Sequence, residues 1–142
     1  MEKLKFHIVL DAEYQTKPPH ARVRVNDEVV FDAELTSESF IPFYREFEND
    51  SKNRLEIELV NKTAEHTKVD EQGNIVADSV IKIKKVLIED IEIQNNFSIN
   101  RDKFYYEHSG EQHQLYDTLG INGKAVINFS TPFYVWLLET IW

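Results

Sequence analysis

Apolar and polar residues alternate along most of this chain. The clearest run is Asp78 to Ile93, DSVIKIKKVLIEDIEI. Ile81 and Ile83 alternate with Lys82 and Lys84, Val86 and Ile88 continue the apolar face, and Ile91 and Ile93 end it. Period-two alternation of β-branched residues is the pattern of a half-buried strand. The apolar positions are odd, then even, then odd again, and a slip of one residue turns every side chain to the other face. The pattern therefore predicts a bulge or break near Lys84-Lys85 and another near Glu89-Asp90.

The same period recurs elsewhere. Over residues 3–10, Leu4, Phe6, Ile8 and Leu10 share one face, with Lys3, Lys5 and His7 on the other. Residues 21–25 and 29–35 form a hairpin across Asn26-Asp27, two residues that tolerate positive φ. Val29, Phe31, Ala33 and Leu35 are expected inside. Residues 39–47 are aromatic-rich, and Pro42 restricts them to an edge strand or an irregular crossing. Over residues 54–61, Leu55, Ile57 and Leu59 point inward. Residues 62–77 are a polar excursion that turns back at Gln72-Gly73-Asn74, with Ile75 and Val76 expected to join the sheet. A short helix is expected over residues 111–119, stopping at Gly120. Asn122-Gly123 signals a turn before a last strand, residues 124–130, with Ala125, Ile127 and Phe129 inside.

The period then changes. In residues 131–142 Thr131 is the expected N-cap and Pro132 the first helical residue. Phe133, Trp136, Leu137 and Ile141 form an apolar stripe along one face of that helix. It covers either the domain's own sheet edge or a neighbouring subunit. Short strands, regular turns and no βαβ spacing predict one all-β domain over residues 1–142. Its expected form is an antiparallel β-sandwich (jelly roll) with a short C-terminal helix.

Composition narrows the function. The chain has 142 residues and is 42% hydrophobic, enough for a real core. It has no cysteine, so neither disulfides nor thiolate metal sites are available. Its net charge of -9, with no basic patch, argues against nucleic acid. No apolar run reaches the roughly 18 residues of a membrane span. The start, MEKLKFHIVLDAEY, has no apolar leader pattern, so synthesis and residence in a cytoplasm are expected.

No catalytic motif stands out. A zinc helix of the H-E-x-x-H type, a G-x-S-x-G elbow and a glycine-rich phosphate loop are all missing, so no enzyme is expected. Clustered acids, Glu89-Asp90 among them, are the candidates for a calcium ion, which needs several oxygen ligands. Tyr105, Tyr106 and Tyr116, with His108 and His113 nearby, are the ligand candidates. Aromatic faces stack on sugar rings, and polar side chains orient the hydroxyls. The competing reading is that these tyrosines anchor a long loop onto the sheet.

PPHARVRVNDEVVFDAEL, RLEIELVNKT and KVLIEDIEI together resemble the small jelly-roll carbohydrate-binding modules that bind xylan-type polymers through calcium. Val86 to Ile93 matches that family's final strand, with Glu89 in the place of its aspartate and Asp90 in the place of its serine. Asn26-Asp27 matches its tight turn. The lysine-rich IKIKK replaces its calcium loop. LGINGKAVINFSTPFYVWLLETIW, with residues 78–93, resembles small proteins of marine T-even-like tailed phages. That second resemblance implies a non-catalytic virion component of the head, neck, tail or fibre. Such a protein would be made in the host cytoplasm and carried in the virion. Phe133, Trp136, Leu137 and Ile141 would dock it onto other virion proteins or onto a second copy. The alternative is a carbohydrate-binding module that recognises a host-surface glycan through Tyr105, Tyr106, His108 and Tyr116, with or without calcium at Glu89 and Asp90.

Overall fold

Alternation sorts the first strand as expected. Leu4, Phe6, Ile8 and Leu10 of β1 (Glu2–Glu13) are fully buried, and Lys3, Lys5 and His7 lie on the other face. The computed structural model describes residues 1–97 and 99–140. After β1 come β2 (His20–Val25), β3 (Glu28–Glu34), β4 (Ser39–Phe47) and β5 (Lys52–Val60). Next are β6 (Thr67–Val69), β7 (Ile75–Asp78), β8 (Val80–Ile88) and β9 (Ile91–Glu92). β10 (Phe104–His108), β11 (Glu111–Gln114), β12 (Thr118–Leu119), β13 (Gly123–Ser130) and the helix α1 (Phe133–Thr140) complete the chain.

Two antiparallel sheets form a sandwich. The first runs β12-β8-β1-β4, with β9 paired to β8, and the second runs β11-β10-β13-β5-β2-β3. Each sheet buries one face against the other. Phe6 of β1 and Phe47 of β4 both meet Phe129 of β13 edge-on, with centroids 6.0 and 5.4 Å apart. Full burial of each such side chain contributes about 1.5–3 kcal/mol. The chain changes sheet from β1 to β2, β3 to β4 and β4 to β5. Neighbours in the core are therefore far apart in sequence. No helix among the described residues is long and apolar enough to cross a membrane.

The register of β8 explains its irregular pattern. Val9 pairs with Lys85 and Leu10 with Ile83, so Lys84 is an extra residue in the ladder. That bulge exposes two lysines in a row and returns Val86 and Ile88 to the core. The break at Glu89-Asp90 is a two-residue turn with φ of 53° and 64°, after which β9 pairs back. Asn26-Asp27 makes a turn of the same kind, with φ of 48° and 68°.

Several expectations are corrected. The helix over residues 111–119 is absent. Ser109-Gly110, with φ of 52° and 79°, reverses the chain, and β11 pairs with β10 from Tyr105↔Gln114 to His108↔Glu111. A tight turn flanked by strand pairing outcompetes a short helix, whose first turn is costly to nucleate. Val29 is 46% exposed because the β2–β3 register shifts between Val23↔Phe31 and Arg24↔Val29, leaving Val30 in a bulge. Ile75 and Val76 are exposed on β7, which pairs only with β6 in a separate two-stranded hairpin, with Val76 in a bulge. Pro42 lies on β4, an edge strand, where its missing N–H does least harm.

The C-terminal helix is the largest correction. Phe133, Trp136 and Leu137 are 0%, 4% and 4% exposed and belong to the core cluster of this chain. The stripe expected to dock a partner is filled from within, and Ile141 lies outside the described residues. Thr131 does not cap the helix. Its hydroxyl donates to the Glu48 carbonyl at 2.6 Å. Instead the Phe133 N–H donates to the Glu2 carboxylate at 3.0 Å, placing an anion at the positive end of the helix. At the other end the Asn100 amide donates to the Thr140 carbonyl at 2.6 Å. The outward residues are Tyr134, Val135 and Leu138.

Candidate functional site

The two sheets are unequal at one edge. β12 has only two residues, so the first sheet gives little cover to the β10–β11 hairpin opposite. The gap is a cavity of about 360 Å³, walled by Tyr106, His108, His113, Tyr116, Leu119 and Ile121, with Gln114, Thr118 and Gly120. Strand alternation selects its side chains. Tyr106 and His108 are two apart on β10 and share a face, and His113 lies directly across from Tyr106. Tyr105 falls on the opposite face, nearly buried beside Val126. Of the four expected glycan residues, Tyr106, His108 and Tyr116 come together and Tyr105 stands apart.

The far wall, residues 120–122, is tied down at every position. The Tyr106 hydroxyl donates to the Ile121 carbonyl. The His108 Nδ1–H donates to the Asn122 carbonyl. The Lys62 ammonium donates to the Gly120 carbonyl and pairs with Asp78 Oδ1 at 2.8 Å. Asn122 accepts from the Lys62 N–H at 2.8 Å and donates to the Lys62 carbonyl at 3.0 Å. Burial works against the Asp78 carboxylate, but hydrogen bonds from Lys62 and Thr67 more than offset it and hold its pKa below the ordinary value. Gly123 follows directly. A Cβ there would lie 2.6 Å from the Glu107 carbonyl oxygen and 2.8 Å from the Tyr106 hydroxyl oxygen. The cavity is thus formed before any ligand arrives, which lowers the ordering cost of binding.

Burial pushes the Tyr106 hydroxyl from an ordinary 10.0 up to about 12. The unfolded chain would ionise this tyrosine first, so the unfolded state binds fewer protons between these values. The associated stability is complete below about pH 10 and is lost as pH rises towards about 12, at about 1.4 kcal/mol per unit. Tyr106→Phe removes the titration. Its urea midpoint is expected to fall less than that of the parent chain between pH 9 and pH 11. Equal falls would show that Tyr106 is not shielded as described.

Chemically the cavity offers ring faces, aliphatic walls and a polar rim. It is suited to holding a ligand with an apolar face and a few hydroxyls. Tyr116, 65% exposed, presents its ring at the mouth. Leu119, Gly120 and Ile121 line the cavity but carry no ligand signature of their own in the sequence. The Ser109-Gly110 dipeptide was the available signal for the hairpin.

Glu89 and Asp90 do not fit a calcium ion. Glu89 Oε1 accepts from the Lys5 N–H at 2.6 Å, and Asp90 Oδ1 lies 3.0 Å from the Lys5 ammonium. The hydrogen bond and charge of Asp90 raise the Lys5 pKa. A lysine thus supplies the positive charge at this turn. Among the described residues no group of three or more His, Asp or Glu side chains could hold a metal ion.

A second charged feature escaped the sequence reading. Glu56 alternates to the outer face of β5, yet it is only 2% exposed. The Lys124 ammonium lies 2.7 Å from it and Arg54 3.5 Å, and both cations also reach Glu107, at 3.8 and 3.3 Å. The arrangement knits β5, β13 and β10 together. Removing both cations would leave the buried Glu56 charge uncompensated.

An antiparallel β-sandwich with an aromatic-walled cavity at one open edge is the class these features define. No protein-family model matches the chain, and no curated protein matches it by sequence. Solved structures of similar fold include one described as vCBM60 in complex with galactobiose. It has a TM-score of 0.51 and 8% identity, covering 89% of this chain and 97% of that one. A selenomethionine form of vCBM60, from work on two families of calcium-dependent carbohydrate binding modules, has a TM-score of 0.46 and 9% identity. It covers 87% of this chain and 89% of that one. At this identity the first likeness shows a shared fold.

Proposed function

We propose that this chain is a non-catalytic carbohydrate-binding module whose sugar site is the cavity between the β10–β11 hairpin and residues 119–121. The observation that carries the reading is the convergence of Tyr106, His108 and Tyr116 on one preformed cavity. The fold shared with vCBM60, a protein seen with galactobiose, supports it. The exposed Tyr116 ring stacks on the apolar face of a pyranose, and the histidines and Thr118 meet its hydroxyls.

The test is an immobilised-glycan array probed with the folded chain and with Tyr116→Ala. The parent chain is expected to bind at least one glycan, and the variant to bind it about tenfold or more weakly, the loss of one good aromatic contact. Binding is expected to persist in EDTA, because the site contains no cluster of carboxylates. A folded parent chain that binds no glycan overturns this reading. The biological setting we propose is the virion of a tailed phage, where such a module would recognise a host-surface glycan. Mass spectrometry of purified particles that finds no trace of the chain would remove that setting and leave the binding site intact.

A further inference from the structure

A second cavity, about 350 Å³, adjoins the first. Gln114 and Tyr116 line both. The two linings differ in character. Beyond Tyr116 the first is walled mainly by Tyr106, Leu119 and Ile121. The second is walled by Gln94, Asn95 and Asp117 above Phe97 and Leu115. One exposed ring therefore divides an apolar chamber from a chamber of amides and a carboxylate.

The polar chamber has fixed parts. Gln94 Oε1 accepts from the Val86 N–H at 3.0 Å, which holds this side chain and leaves its NH₂ as a donor. The Asp117 carbonyl accepts from the Ile83 N–H at 2.7 Å, which pins the backbone of Asp117 to β8. Asn95 and Asp117 are exposed. Amide and carboxylate groups donate to and accept from vicinal hydroxyls at once, and a carboxylate lines only the second chamber. Each chamber is near the lower end of the roughly 300–1,000 Å³ that small-molecule sites span, so each suits one ring rather than two.

Resting on the sugar-binding reading above, we infer that the site takes an oligosaccharide of at least two rings. One ring sits in the apolar chamber against Tyr106 and Tyr116. The next crosses Tyr116 into the polar chamber, where Gln94, Asn95 and Asp117 read its hydroxyls. A monosaccharide fills one chamber and leaves the other to water.

Calorimetry with galactose, xylose, glucose and mannose, and with their β-1,4-linked di- and tetrasaccharides, tests this. In at least one series the disaccharide is expected to bind about tenfold or more tightly than its monosaccharide. Gln94→Ala with Asn95→Ala is expected to abolish that gain and to leave monosaccharide affinity within about twofold. Asn95→Ala alone, at an exposed position, reports on the same chamber if the double variant is unstable. Equal affinity for mono- and disaccharide, or a gain that survives the substitutions, overturns the two-chamber inference and leaves the sugar site standing. Failure of every probe to bind the folded parent chain, together with a blank array, overturns both.

Discussion

Trp136→Ala is expected to lower the stability of the isolated chain by about 3–5 kcal/mol, the usual range for deleting a large buried aromatic side chain. Trp136 is 4% exposed, with ring centroids 6.2 Å from Phe104, 6.3 Å from Phe129 and 5.7 Å from Phe133. It joins α1 to two strands of the second sheet. Its removal leaves a cavity that these strands cannot close, since the β10–β13 ladder fixes their spacing. Urea unfolding measures the loss. Leu138→Ala, on the outward side at 62% exposure, is the control and is expected within about 0.5 kcal/mol of the parent. A helix that merely waited for a partner would give the opposite ranking, or no difference.

Gly123→Ala is expected to cost about 1–3 kcal/mol, the range for overpacking a well-filled site, and to weaken the proposed glycan binding as well. The new methyl would stand 2.6 Å from the Glu107 carbonyl oxygen and 2.8 Å from the Tyr106 hydroxyl oxygen. The carbonyl belongs to the strand paired with β13, through Glu107↔Lys124, so it cannot withdraw without opening the ladder. If Tyr106 moves instead, its bond to Ile121 is lost and the cavity wall goes with it. Thermal melting with array binding measures both effects. Gly120→Ala is the comparison, since a Cβ there meets only Val80 Cγ1 at an ordinary 3.8 Å. Equal melting temperatures for the two variants would show that Gly123 is not constrained as described.

Much of the sandwich was legible from period two alone. Leu4, Phe6, Ile8 and Leu10, then Leu55, Ile57 and Leu59, then Ala125, Ile127 and Phe129 all face inward as their alternation requires. The slips in alternation marked the irregularities at Lys84-Lys85 and Glu89-Asp90, and Asn26-Asp27 marked its turn. These are local effects, because the period and the φ preferences of single residues act within a few positions. Only the pairing of β9 back onto β8 makes Glu89-Asp90 a turn as well.

The candidate site was only half legible. Tyr106, His108 and Tyr116 stood out by residue type, but an aromatic cluster does not say which of its members share a face. The Ser109-Gly110 turn sets the pairing of β10 with β11, and that pairing puts Tyr106 in the cavity and Tyr105 on the other side. Gln94 and Asn95 were invisible as ligand groups because β8 places them beside Tyr116, through the Val86 N–H to Gln94 and the Ile83 N–H to Asp117. The burial of Glu56 is likewise a tertiary effect. Alternation placed it outside, and only the convergence of Arg54 and Lys124 from neighbouring positions buries it.

By itself, then, the sequence determined an all-β chain of antiparallel strands, the inward face of most of them, and an amphipathic helix at the end. The tertiary structure decided what covers each face. A stripe of Phe133, Trp136 and Leu137 at helical spacing demands burial, but the hydrophobic effect is non-directional and does not choose between the chain's own core and a partner. Here the core took it. The aromatic cluster at the other edge, facing a sheet too short to cover it, was left open as a cavity.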